Sequence, residues 1–574
     1  MQKISMETKN CKKCGTSFEI IAEDLTFYEK ISPVFAWKKY NIPSPTFCPD
    51  CRQQRRLAWR NENKLYKRKC DFSNKPIISI FAPDNKCTVY DKDVWWSDKW
   101  DALDYGQDFD FDRPFFQQFE KLLEKTPKMA LINRNSENSD FCNNVLGEKD
   151  CYLIFIWAED QNSYYSYAIL WCKDCMDSLW TINSQLCYEC MNAQTSYNCK
   201  YCFNVVDCAD SEYLMNCIWV KNSLFCIWLT NKQYHILNKK HSKEDYENIN
   251  KELKINKELL ETYMKQFSEL KKNFSYKANN IESSVDSTWD ALLNCSNCKE
   301  SFDLSNWQDS KFVYDSFNVT DSYDVYLSWT LNDNNPSQLL YESDNSVDIY
   351  NIIFSSTAWN CSNSIYLDNC FDCKDCFACC WLTLKQYCIF NKQYTKDDYE
   401  KLVPQIIEHM KTTGEWGEFF PSNISPFGYN ETIANEYYPL EKEEAVAQGF
   451  NWQDKEYPVN IPEGMARIEA KDLPELEDLE DEMEKKILTT AIICEDSWKP
   501  YRIIQQELDF YKKHNIPLPK KHQDIRHINR MKFRNPRKLY DRNCDKCSVE
   551  IRTTYSPDRP ETVFCKTCYE KEIL

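Results

Sequence analysis

Residues 199–226 read CKYCFNVVDCADSEYLMNCIWVKNSLFC, with cysteine at 199, 202, 208, 217 and 226, so every interval is a multiple of three. The stretches 142–226 and 295–388 hold twenty cysteines; nineteen share that phase and only Cys380 departs from it. In-phase positions from 172 to 229 carry Cys, Ser, Thr, Ala, Val or Leu, and those from Ser310 to Ser328 alternate Ser and Val. Tyr, Trp, Lys, Asp, Asn, Glu and Gln fill the other phases. A helix repeats near 3.6 residues and a simple strand at 2. A beat of three fits neither; it predicts a β-solenoid of short segments and tight corners, with one small inward residue per triplet. The pattern is like that of small-coil antifreeze solenoids by analogy. Reduced cysteine serves there as a small hydrophobe, and serine is satisfied by backbone of an adjacent coil. The pairs Cys172/Cys175, Cys187/Cys190 and Cys199/Cys202 also have knuckle spacing. They merge into a ladder that includes Ser and Val, which favours packing over a metal array.

The chain is 574 residues long, so several domains are expected. Its net charge of −18 argues against coating nucleic acid with the whole surface and leaves local basic patches open. The start, MQKISMETKNCKKC, lacks an apolar signal core, and apolar runs such as CYLIFIWA (151–158) are too short to span a bilayer. The expected location is therefore the cytoplasm, where thiols stay reduced or bind metal. Dinucleotide, P-loop, nucleophile-elbow and H-E-x-x-H motifs are absent, and no catalytic residue is assigned.

The two periodic blocks end alike. CIWLTNKQYHILNKKHSKEDYE (226–247) superposes on CCWLTLKQYCIFNKQYTKDDYE (379–400) at an offset of 153. Ser242 with Asp245, and Thr395 with Asp398, read as helix starts. A long, partly exposed helix is expected after the first block and a shorter one, carrying Pro404, after the second. DYGQDFDFDRPFFQQFEKL (104–122) reads as a loop entering a helix anchored by Phe; a cation at Asp104, Asp108, Asp110 and Asp112 is the less favoured reading.

Four thiols at each end have zinc-ribbon spacing: Cys11, Cys14, Cys48 and Cys51, then Cys544, Cys547, Cys565 and Cys568. The ends are repeats of one another. Residues 65–90 align with 539–564 at an offset of 474, matching Cys70 to Cys544 and facing the other three ligands with Ser73, Asp91 and Val94. Residues 11–30 align with 494–513, where Cys14 meets Ser497, and Cys48 and Cys51 correspond to His522 and Ile525. Two zinc ions are thus expected, one per end. The basic segments RQQRRLAWRNENKLYKRK (52–69) and RHINRMKFRNPRKLYDR (526–542) interleave cations with Trp59, Tyr66, Phe533 and Tyr540. Such a surface suits phosphate contact and stacking, with Arg52, Arg55, Arg56, Trp59, Arg60, Lys64, Lys67, Arg68, Arg530, Arg534, Arg537 and Lys538 as candidate nucleic-acid contacts. The competing reading docks these cations on the acidic middle of the chain or on DLPELEDLEDEME (472–484).

Glycine is scarce, 8 residues against 18 tryptophans, where about 7% glycine is usual. Gly15, after the first knuckle, aligns with Trp498, and Trp228 with Trp381 at the block exits. A post-knuckle residue adopts positive φ, which suits glycine. Trp37, Trp228, Trp381 and Trp498 are therefore candidates for UGA codons read as glycine in the organism; true glycine depletion in an AT-rich genome is the alternative.

The stretches FYEK, IPSPTFCPDCRQQRRLAWRN, VWWSDKWDALDYG, KQYCIFNKQYTKDDYE, FGYN and RNPRKLYDRNCDKC, with TTYSPDRPETVFC at the end, resemble the large cysteine-rich zinc-ribbon proteins of ultra-small candidate-phyla bacteria. The likeness covers most of the chain but transfers no activity, and a CoA-transferase (CaiB/BaiF) label that such proteins sometimes carry finds no motif here. The resemblance implies glycine at the four tryptophan positions, since lineages of that family include ones reading UGA as glycine. Ser497, His522 and Ile525 depart from its ligand pattern.

The fold expected is mainly β: a β-solenoid in two repeated blocks with helical insertions, flanked by N- and C-terminal zinc ribbons. Residues 1–70 form a ribbon with a basic segment and 71–134 a connection. Block 1 is 135–240, a helical insertion 241–277 and block 2 278–394. A helix and return segment (395–460), an acidic linker (461–490), a degenerate ribbon with basic segment (491–543) and the last ribbon (544–574) follow. The expected function is a non-enzymatic zinc-containing scaffold whose ribbons engage RNA, the ribosome or DNA, with a protein partner on the solenoid face. The alternative is an enzyme acting on a polymer along that face.

Overall fold

The computed structural model describes residues 5–330, 336–457 and 461–573. The chain divides into two units. One comprises Met1–Ala130, Ser275–Asp454 and Pro536–Leu574; the other comprises Leu131–Phe274 and Lys455–Asn535.

Each unit is built on a long parallel ladder. The first ladder runs from Asn133–Arg134 to His235–Ile236 and ends in the antiparallel strand Lys239–Lys240. The second runs from Ile281–Glu282 to Cys388–Ile389 and ends in Lys392–Gln393. Pairing in the first ladder advances by twelve residues: Tyr167 faces Leu179, Leu179 faces Met191 and Met191 faces Phe203. The second keeps that step over most of its length. It opens with a step of eleven, Ile281 to Leu292, and contains one of eighteen, Tyr323 to Tyr341.

The three-residue beat has a backbone cause. From Asp150 to Leu237 every third residue has positive φ, near +50°, and sits just before an in-phase position. A left-handed residue in every triplet breaks the extended chain into short straight pieces. Asn and Asp tolerate that conformation best after glycine, and they recur there. Their side chains stack between registers: Asn192 donates to Asn204 at 2.7 Å, Asn204 to Asn216 at 2.9 Å and Asn198 to Asp210 at 2.8 Å.

In-phase side chains fill the interior. Cys142, Cys172, Cys175, Cys187, Cys190, Cys199, Cys202, Cys208, Cys217 and Cys226 share one buried cluster with Val145, Val205 and Val220. Cys295, Cys298, Cys361, Cys370, Cys373, Cys376, Cys379 and Cys388 share another with Val313, Val319 and Val325. Interior hydroxyls do what backbone cannot. Ser178 N–H donates to Ser166 Oγ twelve residues earlier at 3.0 Å, and Ser196 N–H to Ser184 Oγ at 3.0 Å. Sulfur takes the same place where Cys373 N–H meets Cys361 Sγ at 3.4 Å. Thiols donate onward, as Cys190 Sγ does to the Cys199 carbonyl at 3.2 Å. Burial pushes the Cys175, Cys190 and Cys202 thiols well up, so they remain neutral. Cys380, out of phase, is also buried.

The buried clusters also hold in-phase side chains larger than the small inward residue that the pattern predicts. Leu214, Ile169, Leu304 and even Trp307 lie in them. Two carboxyl side chains, Glu148 and Asp160, are buried on in-phase positions twelve residues apart. The helices also differ from expectation. After the first ladder there are two, Lys243–Leu253 and Lys257–Lys272, because Asn256 caps the second through Leu259 N–H at 3.0 Å. After the second ladder a single helix, Lys396–Thr413, runs through Pro404 to Gly414. Ser242 and Thr395 cap as expected, accepting from Asp245 and Asp398 N–H. Phe115, in helix Phe115–Lys125, packs on Tyr366 and Phe377 of the second ladder, as the Phe-rich segment suggested. Among the described residues no helix is long and apolar enough to cross a membrane.

Replacing Ser166 with Ala strips the acceptor from a buried amide and is expected to cost about 1–3 kcal/mol. Ser166→Cys keeps a weak acceptor and costs less. Urea unfolding of both variants followed by circular dichroism checks this; equal losses would contradict the role given to the side chain.

Candidate metal centres and the basic segments

Both cysteine tetrads are assembled. In the first, the turn after strand Ser5–Asn10 supplies Cys11 and Cys14, and Cys48 and Cys51 lie at the start of helix Pro49–Leu57. In the second, Cys544 and Cys547 follow strand Tyr540–Asn543, with Cys565 and Cys568 around the start of helix Lys566–Ile573. Within each set the sulfurs lie within 4.8 Å of one another. Cys14 Sγ stands 3.7 Å from Cys48 Sγ, and Cys547 Sγ 3.8 Å from Cys565 Sγ. A tetrahedron with metal–sulfur bonds of about 2.3 Å has edges of about 3.8 Å, so the donors fit such an ion and are far from disulfide contact. Within each set the thiols are tuned apart: one is drawn toward the ionised form that a metal takes, while the hydrogen bond with Cys48 and burial push Cys51 up, and the hydrogen bond with Cys547 and burial push Cys568 up to about 12. Hydrogen bonding from Cys51 outweighs burial and draws Cys48 down to about 7. Burial opposes ionisation of Cys544, but N–H donors of Cys565, Cys547 and Lys546 draw it down to about 6.

The knuckle turn exists in four copies. Gly15, Asn74, Trp498 and Ser548 all have positive φ and each donates its N–H to the carbonyl of the first cysteine, at 2.9, 2.8, 3.2 and 2.8 Å. Two copies have no tetrad. Cys70 accepts N–H from Ser73 at 3.4 Å and Asp91 at 3.2 Å. Cys494 is opposed by burial yet lowered by N–H donors of His522, Ser497 and Asp496, and Ile525 packs into an apolar cluster with Ile503, Leu508 and Tyr511. Among the described residues the metal-competent groups are the two expected tetrads. Both belong to the unit that holds the second ladder, a grouping that chain order conceals.

The basic segments need correction. The sequence pattern puts Arg52, Arg55, Arg56, Trp59 and Arg60 on a phosphate-facing surface; all five are buried. Arg52 pairs with Asp324 at 2.9 Å, Arg55 with Glu342 at 2.9 Å and Glu418 at 3.0 Å, and Arg56 with Asp344 at 3.1 Å. Arg60 holds Glu62, and Trp59 packs on Phe420. Burial lifts the Asp344 carboxyl to about 7 even beside Arg56 and Arg60, which marks how dry the cluster is. The physical reason is supply: guanidinium forks meet buried carboxylates whose desolvation only a close cation offsets.

The second segment behaves likewise. Arg530 is buried and bonds Asp177 at 3.0 Å and Glu189 at 3.2 Å, with Arg526 on Asp177 beside it. Arg537 pairs with Asp315 and lies 4.1 Å from the ring of Tyr437. Arg534, half-buried, covers Trp180. Arg68 bonds Asp71 at 3.0 Å. Of the candidates, Lys67 and Lys538 are exposed and Lys64 half-buried. Sequence reasoning missed the docking acids, yet a signal exists. Asp177 matches Asp324 at an offset of 147 and Glu189 matches Glu342 at 153, the difference being the six residues added by the longer step, while Arg52 and Arg56 match Arg526 and Arg530 at 474.

Elemental analysis of the purified protein is expected to give two metal ions per chain. Cys14→Ser or Cys547→Ser lowers this to one and both together to none, whereas Cys70→Ser and Cys494→Ser leave two. A third ion, or loss on changing Cys70 or Cys494, would refute the assignment. Comparison with family models, with curated proteins and with solved structures finds no match to this chain.

Proposed function

We propose that the protein is a non-enzymatic scaffold: two β-solenoids with coils of mostly twelve residues, the second sharing its unit with two zinc-bound four-cysteine modules, acting as a binding platform in the reducing cytoplasm. Zinc is the metal that four thiolates at this spacing suit best, and its contribution is structural, because all four positions are taken by protein sulfur. The observation that carries the scaffold reading is the internal use of charge. The arginines that would grip phosphate are held in buried ion pairs, and outward carboxylates such as Asp150, Asp174, Asp210, Asp309 and Asp372 accept from an asparagine one register earlier. Acids tied into such columns are poorly placed as a pair for polymer cleavage.

Nucleic-acid engagement then falls to Lys64, Lys67 and Lys538, too few for a strong phosphate term. Retention on immobilised RNA or duplex DNA is expected to vanish by about 0.15 M salt. Tight retention at that salt, abolished by Lys67→Ala with Lys538→Ala, would replace the scaffold reading with a nucleic-acid-binding one.

We also propose that several tryptophans are glycine in the native protein. Backbone conformation supports this at Trp37 (φ +67°) and Trp498 (+58°), which lie outside the ladders, whereas Trp228 (+55°) and Trp381 (+53°) share the positive φ that ladder triplets carry whatever their residue. Trp37 is the second residue of a two-residue hairpin turn, after Ala36 at +45°, the place where glycine is favoured. It is 99% exposed and Trp498 is 70% exposed, so neither ring contributes burial. Trp381 packs against Trp95, so the reading rests first on Trp37 and Trp498. Peptide sequencing by mass spectrometry of protein from the native host should give glycine at both; tryptophan at both ends the proposal.

A further inference from the structure

The two units dock the same kind of helix in the same way but cover it differently. Helix Pro49–Leu57 places Arg52 over the ring of Phe312 and bonds Asp324 and Glu342. Helix Gln523–Met531 places Arg526 over Tyr165 and bonds Asp177 and Glu189 through Arg526 and Arg530. Every one of these residues has its counterpart at the repeat offsets given above. The inner faces of the two helices are therefore equivalent.

The outer faces are not. In the first unit the chain that leaves helix Lys396–Thr413 folds back over the docked helix. Glu418 pairs with Arg55, Phe419 and Phe420 pack on Trp59, and Ser425 Oγ donates to the Ala58 carbonyl at 2.9 Å. Gln54 bonds the Tyr429 hydroxyl at 2.9 Å, and Ile433 N–H reaches the Arg60 carbonyl at 3.0 Å. In the second unit the chain leaving helix Lys257–Lys272 enters strand Ser275–Lys277 after two residues, so no equivalent segment is left to fold back. The positions of Gln54, Ala58 and Trp59 are there taken by Ile528, Lys532 and Phe533. Trp59 is 3% exposed; Phe533 is 62% exposed and Ile528 46%. The repeat thus retains an aromatic residue where its twin is covered, and adds an isoleucine and an exposed lysine beside it.

We propose that the face formed by Ile528, Lys532 and Phe533 is a docking site for an extended, acidic, aromatic-rich segment of another protein, chemically like residues 415–438 of this chain. Adjacent aromatic side chains bury Phe533 and Ile528, and a carboxylate near them faces Lys532, as Glu418 faces Arg55 in the covered twin. Residues 415–438 of a second copy are already occupied in place by that copy's own helix Pro49–Leu57, which makes a separate partner the better occupant. Exposed aromatic side chains of this kind anchor interfaces when desolvated.

The test uses the full-length, metal-loaded protein and a fluorescein-labelled synthetic peptide spanning residues 414–438. Anisotropy is expected to show saturable binding. Phe533→Ser with Ile528→Ser should weaken it at least tenfold and Lys532→Glu severalfold. A peptide with Phe419 and Phe420 changed to Ser should not bind. All three protein positions are exposed, so unchanged circular dichroism and melting are expected in the variants. Absence of saturable binding, or binding equally strong to the Phe533→Ser, Ile528→Ser variant, overturns the proposal. Concentration-dependent dimerisation that Phe533→Ser abolishes overturns the choice of a separate partner in favour of a second copy. The proposal rests on the scaffold reading for its premise of a protein partner. Failure of the titration leaves that reading intact elsewhere on the surface, whereas salt-resistant nucleic-acid retention would remove the reading without altering the titration.

Discussion

The hydrogen bond from a buried in-phase amide to a serine hydroxyl one register earlier recurs along both ladders beside their backbone pairing and shapes what the in-phase positions hold. A left-handed residue in every triplet turns the next amide inward, where water does not reach. An unsatisfied buried donor costs about 1–3 kcal/mol, and repetition along two ladders would exceed the net stability of an ordinary domain. Serine answers the amide with Oγ, as Ser211 does for Ser223, and cysteine answers it more weakly while filling the space. This explains why cysteine and serine trade places on the beat, and why the in-phase Asp160 can stand in for them by accepting from Cys172 N–H at 2.7 Å. The ladder thiols are buried, and burial keeps Cys175, Cys190 and Cys202 neutral, which makes them packing groups with a polar edge.

How much of this the sequence reveals depends on how local each constraint is. The beat of three is legible because it is set within each triplet, by one left-handed residue and one inward side chain. The twelve-residue register is not, because it depends on how many triplets return the chain to its own neighbour; the Asn–Asn and Asn–Asp columns that record it are diluted by Tyr, Leu and Trp. The tetrads are legible because both halves of a knuckle lie within a few residues. The burial of Arg52, Arg55 and Arg56 is illegible locally, since Asp324, Glu342 and Asp344 lie far along the chain. A run of arginines looks alike whether it faces phosphate or buried carboxylate. The helix through Pro404, by contrast, is expected from the sequence, and packing of Val403, Ile406, Ile407 and Met410 is what outweighs a local helix-breaking preference of about 3 kcal/mol there.

Buried arginine clusters of this kind set specificity more than stability. Removing one partner of such a pair costs about 3–5 kcal/mol, while replacing the whole cluster by apolar residues can be neutral. The cluster on Asp324 and the one on Asp177 therefore fix where each helix docks and in which register. That both copies keep the same acids and the same two arginines, while the flanking positions have diverged from Gln54 to Ile528 and from Trp59 to Phe533, fits a docking code held constant under different surroundings.

The repeated modules keep the same apolar packing whether or not their thiols form a tetrad. Beside the first tetrad Phe18 and Phe47 pack on Cys11, Cys48 and Cys51, and Ile20, Phe27 and Tyr28 of the same module are buried, with Phe27 stacked on Tyr323 of the second ladder. Around Cys494, where Ser497, His522 and Ile525 stand in place of the ligands, a buried cluster extends through Ile492, Ile503, Leu508, Phe510, Tyr511, Ile516 and Leu518. Ile503, Phe510 and Tyr511 are the counterparts of Ile20, Phe27 and Tyr28, so both copies rest on the same apolar packing and the four thiols are an addition to it. The copy without a tetrad keeps its knuckle as a backbone turn closed by the Trp498 N–H and the Cys494 carbonyl. The turn outlasts the tetrad because its hydrogen bonds are local, while the tetrad requires four thiols from two distant segments at once.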